Sequence, residues 1–496
     1  MCRMRSLLKH IPAGSSIPLN NPFAVSVSLP TLSDVIKYEE GDAAFLESME
    51  TGYPRFFTHR YVRLYLQHIR EQHRVPEDRQ LIPVNSYNAV CRVQELLGSP
   101  VAHIRAGRWY CIVTAQDDPD AGRISHIIRN CGFLISSRAL AVYLHELHIL
   151  PQLYHEDTAP YDQGETIIRE VLASSYQTQP EHVLLTNSGM NALYAGIRAL
   201  CEKAAGERQI VRMGHCYIDT LELLERCASS VYVHKDIHEL QELELYLQQH
   251  AQHIALVFIE SVSNPLLQVA DLPALYRLCR QFDIPLLVDA TFSPGFIATV
   301  YQHADVIVES LTKFASGHAD MLAGSIVTVN TDVLTIADCL PYREAPAIYD
   351  TVRLALEIKD YRSRLEKVSH NTKLLTAYFR QFSHIIENIY VASGSDAYAR
   401  IRKDALEPGL ISLVFRDDLS LYYDRLPVAK GPSLGTDFTL VMPYVYLAHY
   451  EACKDEKAYA ELLQAGLNKN MIRISVGTEP IKEITGAFDA VLTNPG

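Results

Sequence analysis

The sequence predicts an α/β protein with a mostly parallel sheet, and two observations lead to that fold class. Between residues 180 and 330, short β-branched runs alternate with amphipathic helical stretches. The runs are apolar on both sides, as expected where helices cover both faces of a sheet. The predicted strands are Val183–Thr186, Ile210–Met213, Val231–His234, Ile254–Ile259, Pro285–Val288, Val306–Val308 and Ser325–Val329.

The 496-residue length favours several structural units, and the pattern divides the chain into three. The predicted units are an N-terminal arm and extra region of unknown role (1–165), a large domain (166–345), and a connecting helix with a small C-terminal α/β domain (346–496). The predicted elements outside the large domain are a helix at Thr58–His73, strands around Trp109–Thr114, a long helix over 346–382, strands at Leu410–Phe415 and Ile472–Val476, and a closing helix from about Pro480.

Composition excludes several functional classes. The formal net charge is −13, which argues against a nucleic-acid or anionic-membrane surface, and no apolar run approaches membrane-spanning length. The ten cysteines are scattered, without a Cys-x-x-Cys pair or a Cys/His cluster at zinc spacing. We therefore expect a cytoplasmic protein with free thiols, no metal site, and no nucleic-acid or membrane partner.

The segment Ser310-Leu311-Thr312-Lys313 follows the strand predicted at Val306–Val308. A lysine that holds an aldehyde cofactor as a Schiff base needs a phosphate-binding group nearby, because the cofactor is tethered at both ends. The hydroxyls of Ser310 and Thr312 are candidate donors to that phosphate. The alternative is a solvent-facing lysine in a polar loop.

Two further segments fit the same cofactor. Asp289 ends an apolar strand, where an ionised carboxylate can pair with a protonated pyridine nitrogen. The turn Asn187-Ser188-Gly189-Met190-Asn191 opens an apolar helix, and backbone N–H groups at a helix start bind phosphate. Taken alone, an Asp after a strand is more often a helix cap or a turn residue, and the turn at 187–191 is commonly just an N-cap. The three segments together, in this order, predict a pyridoxal-phosphate enzyme.

Several motifs then carry a resemblance to a known family. They are Ser188-Gly189-Met190, Ser263-Asn264-Pro265, Val288-Asp289-Ala290-Thr291-Phe292, Ser310-Leu311-Thr312-Lys313 and Gly317-His318-Ala319-Asp320. From about residue 165 to the C-terminus, and more loosely over 25–60, the chain resembles the cystathionine γ-synthase family of Cys/Met-metabolism enzymes. It is most similar to the fungal-type branch, which has a long N-terminal region. The resemblance implies a type I PLP-dependent transferase fold, like that of aspartate aminotransferase, with a mostly parallel large domain and a small C-terminal domain.

The resemblance also implies roles for individual residues. Lys313 becomes the Schiff-base lysine and proton shuttle, and Asp289 the pyridinium partner. Tyr217 is similar to the catalytic tyrosine that stacks on the cofactor ring, and Asn264 to the asparagine that bonds its phenolic oxygen. The residues implied to bind the phosphate are Ser188, Gly189, Met190, Ser310 and Thr312.

Two C-terminal residues fit a substrate α-carboxylate. Arg473 lies within an apolar strand, where a buried guanidinium needs an anionic partner, and an internal salt bridge is the alternative. Ser433 resembles a serine that the family places beside the same carboxylate.

The N-terminal match is Tyr53-Pro54-Arg55, which looks like the Tyr-x-Arg that reaches the phosphate of a neighbouring subunit. It implies a homo-oligomer, a dimer or tetramer, with shared active sites. The chain departs from the family pattern through a long insertion after Arg55. It also has Tyr217-Ile218-Asp219-Thr220 where Tyr-Gly-Gly-Thr is usual. Methionine γ-lyases have a cysteine at the position of Asp219, which argues against that specialism.

The resemblance implies γ-replacement, in which an O-activated homoserine and cysteine give cystathionine for transsulfuration and methionine biosynthesis. Other readings remain open: a β- or γ-lyase of cystathionine, a methionine γ-lyase, or an O-acylhomoserine sulfhydrylase. These enzymes share the cofactor residues and differ in the shape of the pocket. A PLP-binding regulatory protein is the non-enzyme alternative, which the combination of Lys313, Asp289 and Arg473 disfavours.

Overall fold

The computed structural model describes residues 7–204 and 206–493. Residues 1–6 of the predicted N-terminal unit and residues 494–496 of the predicted C-terminal unit lie outside the described residues. Within the described ranges the strands form sheets of two, three, seven and five members. No helix in this part of the chain is long and apolar enough to cross a bilayer.

The chain starts with residues 7–57, here called the arm. Its elements are β1 (Ser16–Ile17), β2 (Ser26–Val27), α1 (Leu32–Glu39) and α2 (Ala43–Ser48). The amide of Val25 donates to the carbonyl of Ala319 at 2.8 Å, and the amide of Leu29 to that of Lys430 at 2.9 Å. The arm therefore lies against the C-terminal half of its own chain.

Residues 58–163, here called the insertion, form a small unit with an antiparallel sheet in the order β3-β5-β4. Its elements are α3 (Arg60–His73), β3 (Arg79–Val84), α4 (Tyr87–Leu97), β4 (His103–Ala106), β5 (Trp109–Ala115), α5 (Asp120–Cys131) and α6 (Ser137–Glu146). Helix α3 and strand β5 lie where the sequence predicted them.

The large sheet belongs to the next segment of the chain. Its elements are α7 (Gly164–Tyr176), β6 (Val183–Thr186), α8 (Gly189–Lys203), β7 (Gln209–Met213), α9 (Ile218–Cys227), β8 (Ser230–His234), α10 (Leu240–His250), β9 (Ile254–Glu260), α11 (Leu272–Gln281), β10 (Leu286–Asp289), β11 (Val306–Glu309), β12 (Gly324–Thr328) and α12 (Ile336–Cys339). The strand order is β6-β12-β11-β10-β9-β7-β8, and only β12 runs antiparallel to its neighbours.

Strand β9 shows why the large sheet is buried on both faces. Side chains alternate between the faces of a strand. Val257 and Ile259 pack into one hydrophobic cluster, and Leu256 and Phe258 pack into another. The second cluster also receives Ile124 and Ile128 of α5, so the insertion covers part of this face.

The remaining residues form the five-stranded sheet β13-β14-β17-β16-β15 with its helices. Their elements are α13 (Ile348–Glu357), α14 (Tyr361–Phe379), β13 (Ile386–Tyr390), α15 (Asp396–Ile401), β14 (Leu410–Phe415), α16 (Ser420–Tyr423), β15 (Ala429–Lys430), β16 (Leu440–Pro443), α17 (Tyr444–Ala448), α18 (Tyr450–Cys453), α19 (Glu456–Gln464), β17 (Met471–Ser475) and α20 (Ile481–Leu492).

The long helix predicted over 346–382 is interrupted. A single 3₁₀ turn, Ile358–Asp360, separates α13 from α14. At the break, the carbonyl of Glu357 accepts a hydrogen bond from the guanidinium of Arg364 at 3.0 Å. Arg364 also donates to the carbonyls of Phe314 and Ala315, so this helical break supports the loop that carries the predicted catalytic lysine.

Candidate active site

Three acidic residues lie at the carboxyl ends of adjacent parallel strands. Glu260 ends β9, Asp289 ends β10 and Glu309 ends β11, and the strand register places Asp289 beside Glu260. Burial raises the pKa of Asp289, and burial together with Asp289 raises the pKa of Glu260 to about 8. The hydroxyls of Tyr176 and Tyr361 donate to Glu309. Because Asp289 is buried beside Glu260, its ionised form needs a cation in the cavity.

Sequence analysis found only one of these three acids. The signal that would have revealed all of them is an acidic residue at the end of three successive apolar runs. In open α/β sheets, ligands bind at these strand ends, so the pattern also locates the cavity.

Lys313 lies in the loop that follows β11. Its Nζ donates to the hydroxyl of Ser433 at 3.0 Å and lies 3.4 Å from the hydroxyl of Tyr53. Burial lowers the pKa of Lys313, with a smaller contribution from Arg473. A lysine in this environment is neutral at lower pH than an exposed one, which favours its action as a nucleophile and base.

The predicted phosphate turn lies at the start of α8, beside the Lys313 loop. Ser188 is the N-cap residue of this helix, and Gly189 and Met190 line the same cavity. A Cβ on Gly189 would lie 2.6 Å from the Cβ of Ser310, which is shorter than any real contact of this kind. Only glycine lets the turn approach the lysine loop this closely.

Two of the predicted phosphate ligands already use their hydroxyls within the protein. The Ser188 hydroxyl accepts the N–H of Asn191 at 3.2 Å, as an N-cap. Thr312 both accepts from the Ala323 amide at 3.2 Å and donates to its carbonyl at 3.3 Å. The Thr312 proton is thus directed to Ala323 in this structure, and the role of Thr312 as a phosphate ligand stays a prediction.

Arg473 lies on β17 and is only 5% exposed. It donates to Asn264 Oδ1 and to the carbonyl of Ser433, both at 2.9 Å, while its Nε has no hydrogen-bond partner. Among the described residues no carboxylate forms an ion pair with it, and burial lowers its pKa to about 10. These contacts exclude the internal salt bridge and leave a buried cation suited to a bound carboxylate.

Asn264 and Ser433 thus meet at Arg473. Ser433 has a φ of 91°, a left-handed conformation that is uncommon for a residue with a side chain. That conformation lets one residue contact both functional side chains, because its hydroxyl faces Lys313 while its carbonyl faces Arg473.

The arm supplies Tyr53 and Arg55 to the same cavity. Arg55 Nη2 donates to the hydroxyl of Tyr217 at 2.6 Å and forms a short ion pair with Asp219. Its Nε and Nη1 are buried without a partner, so they are available to an anion. Both side chains line the cavity of their own chain in this structure, and the expectation that they reach the site of a neighbouring subunit stays a prediction.

The cavity has a volume of about 570 Å³. It is lined by the predicted site residues and by others that sequence analysis missed, among them Tyr38, Glu39, Arg129, Asp219, Glu260, Glu309 and Tyr444. Arg129 belongs to the insertion, and its Nε lies 3.7 Å from Asp219. No sequence motif indicated that the insertion reaches the site.

The comparisons with known proteins agree with this geometry. Residues 165–493 match the family described as Cys/Met metabolism PLP-dependent enzyme. The chain belongs to this family. Its cofactor is pyridoxal phosphate, and the predicted resemblance, fold class and cofactor are confirmed.

Family members of known sequence include one that matches almost end to end. The chain is 31% identical over 483 residues to an L-2-amino-4-chloropent-4-enoate dechlorinase/desaturase from Streptantibioticus cattleyicolor, covering 94% of this chain and 95% of that one. It is 30% identical to a cystathionine γ-synthase from Neurospora crassa, covering 70% of this chain and 56% of that one. It is 24% identical to the Saccharomyces cerevisiae cystathionine γ-synthase, covering 97% and 98%.

Solved structures share the family fold. The cystathionine γ-synthase from Xanthomonas oryzae pv. oryzae superposes with a TM-score of 0.57 at 20% identity, covering 67% of this chain and 86% of that one. The cystathionine γ-lyase from yeast gives 0.56 at 19% identity, covering 65% and 84%. At these identities the likeness shows the fold alone.

The residues of the cavity fit pyridoxal phosphate. Asp289 is an acid whose burial calls for a cation, and Lys313 is an amine in the same cavity whose pKa burial lowers. Arg55 offers two unpartnered buried nitrogens, and Gly189 leaves room for a close backbone approach. Asp289 thus matches the pyridinium nitrogen of the cofactor, Lys313 its aldehyde, and Arg55 and Gly189 its phosphate.

Proposed function

We propose that this enzyme removes a leaving group from Cγ of an α-amino acid and replaces it with the sulfur of cysteine. The expected substrate is an O-activated homoserine, and the product is cystathionine. The observation that carries the proposal is Arg473, a buried cation that has no acidic partner among the described residues and shares Ser433 with Lys313. A carboxylate bound to Arg473 would place the amino-acid backbone beside the lysine amine.

The chain's own residues then have distinct tasks. Arg473 binds the α-carboxylate and Asn264 orients its guanidinium. Pyridoxal phosphate, when bound, provides the electron sink that makes protons at Cα and Cβ acidic. Lys313 accepts and returns those protons, for which its lowered pKa suits it. Asp289 would hold the positive charge of the cofactor's pyridine nitrogen, and Tyr217 lines the cavity with its hydroxyl held by Arg55.

A second candidate is elimination at Cγ without an incoming thiol. The observation in its favour is the Streptantibioticus relative, which matches nearly the whole chain including the insertion. The substrate in its name carries chlorine on C4, which is Cγ of the amino acid. In both candidates Lys313 removes protons at Cα and Cβ before the group leaves from Cγ, and the two differ in whether a nucleophile is then admitted. The predicted cystathionine γ-lyase and methionine γ-lyase activities also eliminate at Cγ, whereas a cystathionine β-lyase would eliminate at Cβ.

Product analysis separates the candidates. Purified enzyme is incubated with O-succinyl-, O-acetyl- or O-phosphohomoserine, each with and without cysteine, and separately with 2-amino-4-chloropent-4-enoate alone. Cystathionine formed only when cysteine is present supports γ-replacement. Chloride release from the chlorinated substrate, with no cystathionine from any ester, supports elimination and refutes the first proposal.

The Lys313→Ala variant is the control for all of these assays. We expect it to lose at least about a thousandfold in rate, because proton transfer and covalent attachment both depend on this amine. After borohydride reduction, intact-mass analysis should show the cofactor's added mass on the wild-type chain and none on the variant. Equal cofactor attachment in the variant would refute the assignment of Lys313.

A further inference from the structure

We infer that the insertion positions the turn Ser188-Gly189-Met190, and through this turn the phosphate of the cofactor. The contacts run through three positioning residues, Asn187, Asn191 and Glu344. This role rests on the prediction that the turn binds the phosphate. Binding of pyridoxal phosphate precedes every reaction considered above, so the role is independent of which Cγ reaction the enzyme performs. It gives a function to residues 58–163, a region to which the sequence assigned none.

Asn187, which directly precedes the turn, is bound by the insertion. Its Nδ2 donates to the carbonyl of Gly132 at 2.8 Å and to that of Leu134 at 3.2 Å. Both carbonyls lie in the short segment between α5 and α6. The Oδ1 of the same amide accepts a hydrogen bond from the hydroxyl of Ser188 at 3.1 Å. The insertion therefore holds the residue before the turn and, through that residue, the side chain of the turn's first member.

Asn191, which directly follows the turn, is fully buried and is bound in a similar way. Its Nδ2 donates to the carbonyl of Cys131, the last residue of α5, at 3.0 Å, and lies 3.3 Å from the carbonyl of Tyr342. Its Oδ1 accepts the amide of Glu344 at 2.7 Å. Both ends of this amide group are thus in use, which defines its orientation. One side chain joins the insertion, the turn and the segment between α12 and α13.

Glu344 connects the insertion to the turn a third time. Its carboxylate accepts hydrogen bonds from Asn85 Nδ2 at 2.8 Å and from the Ser86 hydroxyl at 2.7 Å, two residues that follow β3 of the insertion. Its backbone carbonyl accepts the amide of Asn187 at 2.9 Å, and its own amide donates to Asn191. A buried carboxylate needs such partners, and here the insertion supplies them. The side chain of this acid therefore binds the insertion while its backbone binds both flanks of the turn.

Gly132 brings the insertion into direct contact with the turn. It ends α5 in the left-handed conformation, with a φ of 72°. A Cβ at this position would lie 2.4 Å from Oγ of Ser188 and 2.8 Å from the backbone nitrogen of Asn191, so no side chain fits there. The first N–H groups of a helix have no partner within the helix, and their direction depends on how the helix start is held. The insertion thus sets the position of Gly189 and Met190, which line the cavity.

The experiment compares two ligands on the apoprotein. One is pyridoxal phosphate, and the other is pyridoxal, which has the same aldehyde and ring but a hydroxyl in place of the phosphate. Formation of the Schiff base is followed by absorbance. The test variant is Gly132→Ala, which places a methyl group against the turn. The matched control is Gly98→Ala, which ends α4 of the same insertion with a φ of 78° and has no atom of the described residues within 4 Å of the added Cβ. Both substitutions strain a left-handed residue, so only the contact with the turn differs.

We expect a loss that depends on the phosphate. Gly132→Ala should raise Kd for pyridoxal phosphate about 10–100-fold, the size typical of losing a group that orients a ligand-binding residue. Its Kd for pyridoxal should change by less than about threefold, because pyridoxal has no phosphate to contact the turn. Gly98→Ala should leave both constants at the wild-type level. Equal weakening of both ligands by Gly132→Ala, or weakening of neither, would overturn the inference.

Asn187→Ala tests the same role without straining the backbone, because it removes the amide that donates to the two insertion carbonyls. Its matched control is Asn371→Ala in α14, whose Nδ2 likewise donates to two carbonyls, those of Gly477 and Glu479, both at 2.9 Å. Fluorescence of Trp109 shows whether the insertion of each variant is folded. If Gly132→Ala is not folded, Asn187→Ala decides by the same comparison of the two ligands.

The turn itself is tested separately by Gly189→Ala. If this variant loses affinity for pyridoxal phosphate while folded Gly132→Ala and Asn187→Ala do not, the turn binds the phosphate and the role of the insertion is refuted. If none of the three loses affinity, the assignment of the turn is wrong and the inference fails with it. No turnover is measured, so these results stand even if no Cγ replacement is ever found.

Discussion

Replacing Arg138 by methionine should weaken the attachment of the insertion more than any surface change. This side chain is 2% exposed and contacts three carboxylates. It lies 2.7 Å from Glu156, 3.3 Å from Asp320 and 3.2 Å from Asp350. Methionine preserves most of the volume but leaves these acids without their shared cation. The physical cost is that of burying unpaired negative charge.

The expected magnitude follows from the geometry. Removing one partner from a buried ion cluster costs about 3–5 kcal/mol. Arg353 remains 3.2 Å from Asp320 and 3.6 Å from Glu156, so part of the charge stays compensated. We therefore expect the lower end, about 3 kcal/mol, which is about two orders of magnitude in the ratio of attached to detached insertion.

The assay uses the single tryptophan of the chain, Trp109, which lies on β5 within the insertion and is 7% exposed. Its fluorescence in urea reports unfolding of the insertion, while far-ultraviolet circular dichroism reports the whole chain. The matched control is Arg123→Met, which breaks an exposed pair with Asp120 in the same insertion and should cost about 0–1 kcal/mol. Equal shifts in the fluorescence midpoint for the two variants would refute the reasoning.

Three further predictions concern the cavity and its surroundings. Arg473→Lys replaces the planar guanidinium, which can donate two parallel hydrogen bonds to a carboxylate, by the point charge of an ammonium. KM for the amino-acid substrate should therefore rise about 10–100-fold with little change in kcat. An unchanged KM would place the carboxylate site elsewhere. Burial raises the pKa of Glu260 from its ordinary value of 4.5 to about 8. The contribution of Glu260 to the free energy of unfolding of the apoprotein is therefore lost as the pH rises from 4.5 through about 8. Glu260→Gln should therefore flatten the fall in apoprotein Tm over that range, and identical slopes would contradict this. Gly189→Ala should weaken cofactor binding at least about tenfold, because the added Cβ pushes Ser310 away. The control is Gly486→Ala, where no atom of the described residues lies within 4 Å of the added Cβ. This control should leave cofactor binding unchanged and stabilise α20 by about 0.5–1 kcal/mol.

The sequence by itself was sufficient for the large sheet and for the positions of Asp289 and Lys313 relative to its strands. Each predicted strand of 180–330 was confirmed to within about two residues, because both-sided burial leaves continuous apolar runs that pattern reading detects. Their positions could be predicted because Asp289 ends β10 and Lys313 lies in the short loop after β11. The position of these residues along the chain is thus enough to locate the part of the cavity at the strand ends. The helical break at 358–360 was missed, and the carbonyl of Glu357 there accepts a side-chain hydrogen bond from Arg364, a contact that the periodicity of the sequence does not indicate.

Contacts between distant parts of the chain decided the rest. Whether Arg473 meets an internal acid or a substrate carboxylate depends on which side chains the fold brings within reach, and no local pattern records that. The same holds for Arg55, which lines the cavity in this structure because the arm pairs with residues hundreds of positions away. Arg129 and Arg138 carry no motif at all. Their roles exist because folding brings the insertion against the lysine loop and α9, where buried charges require partners.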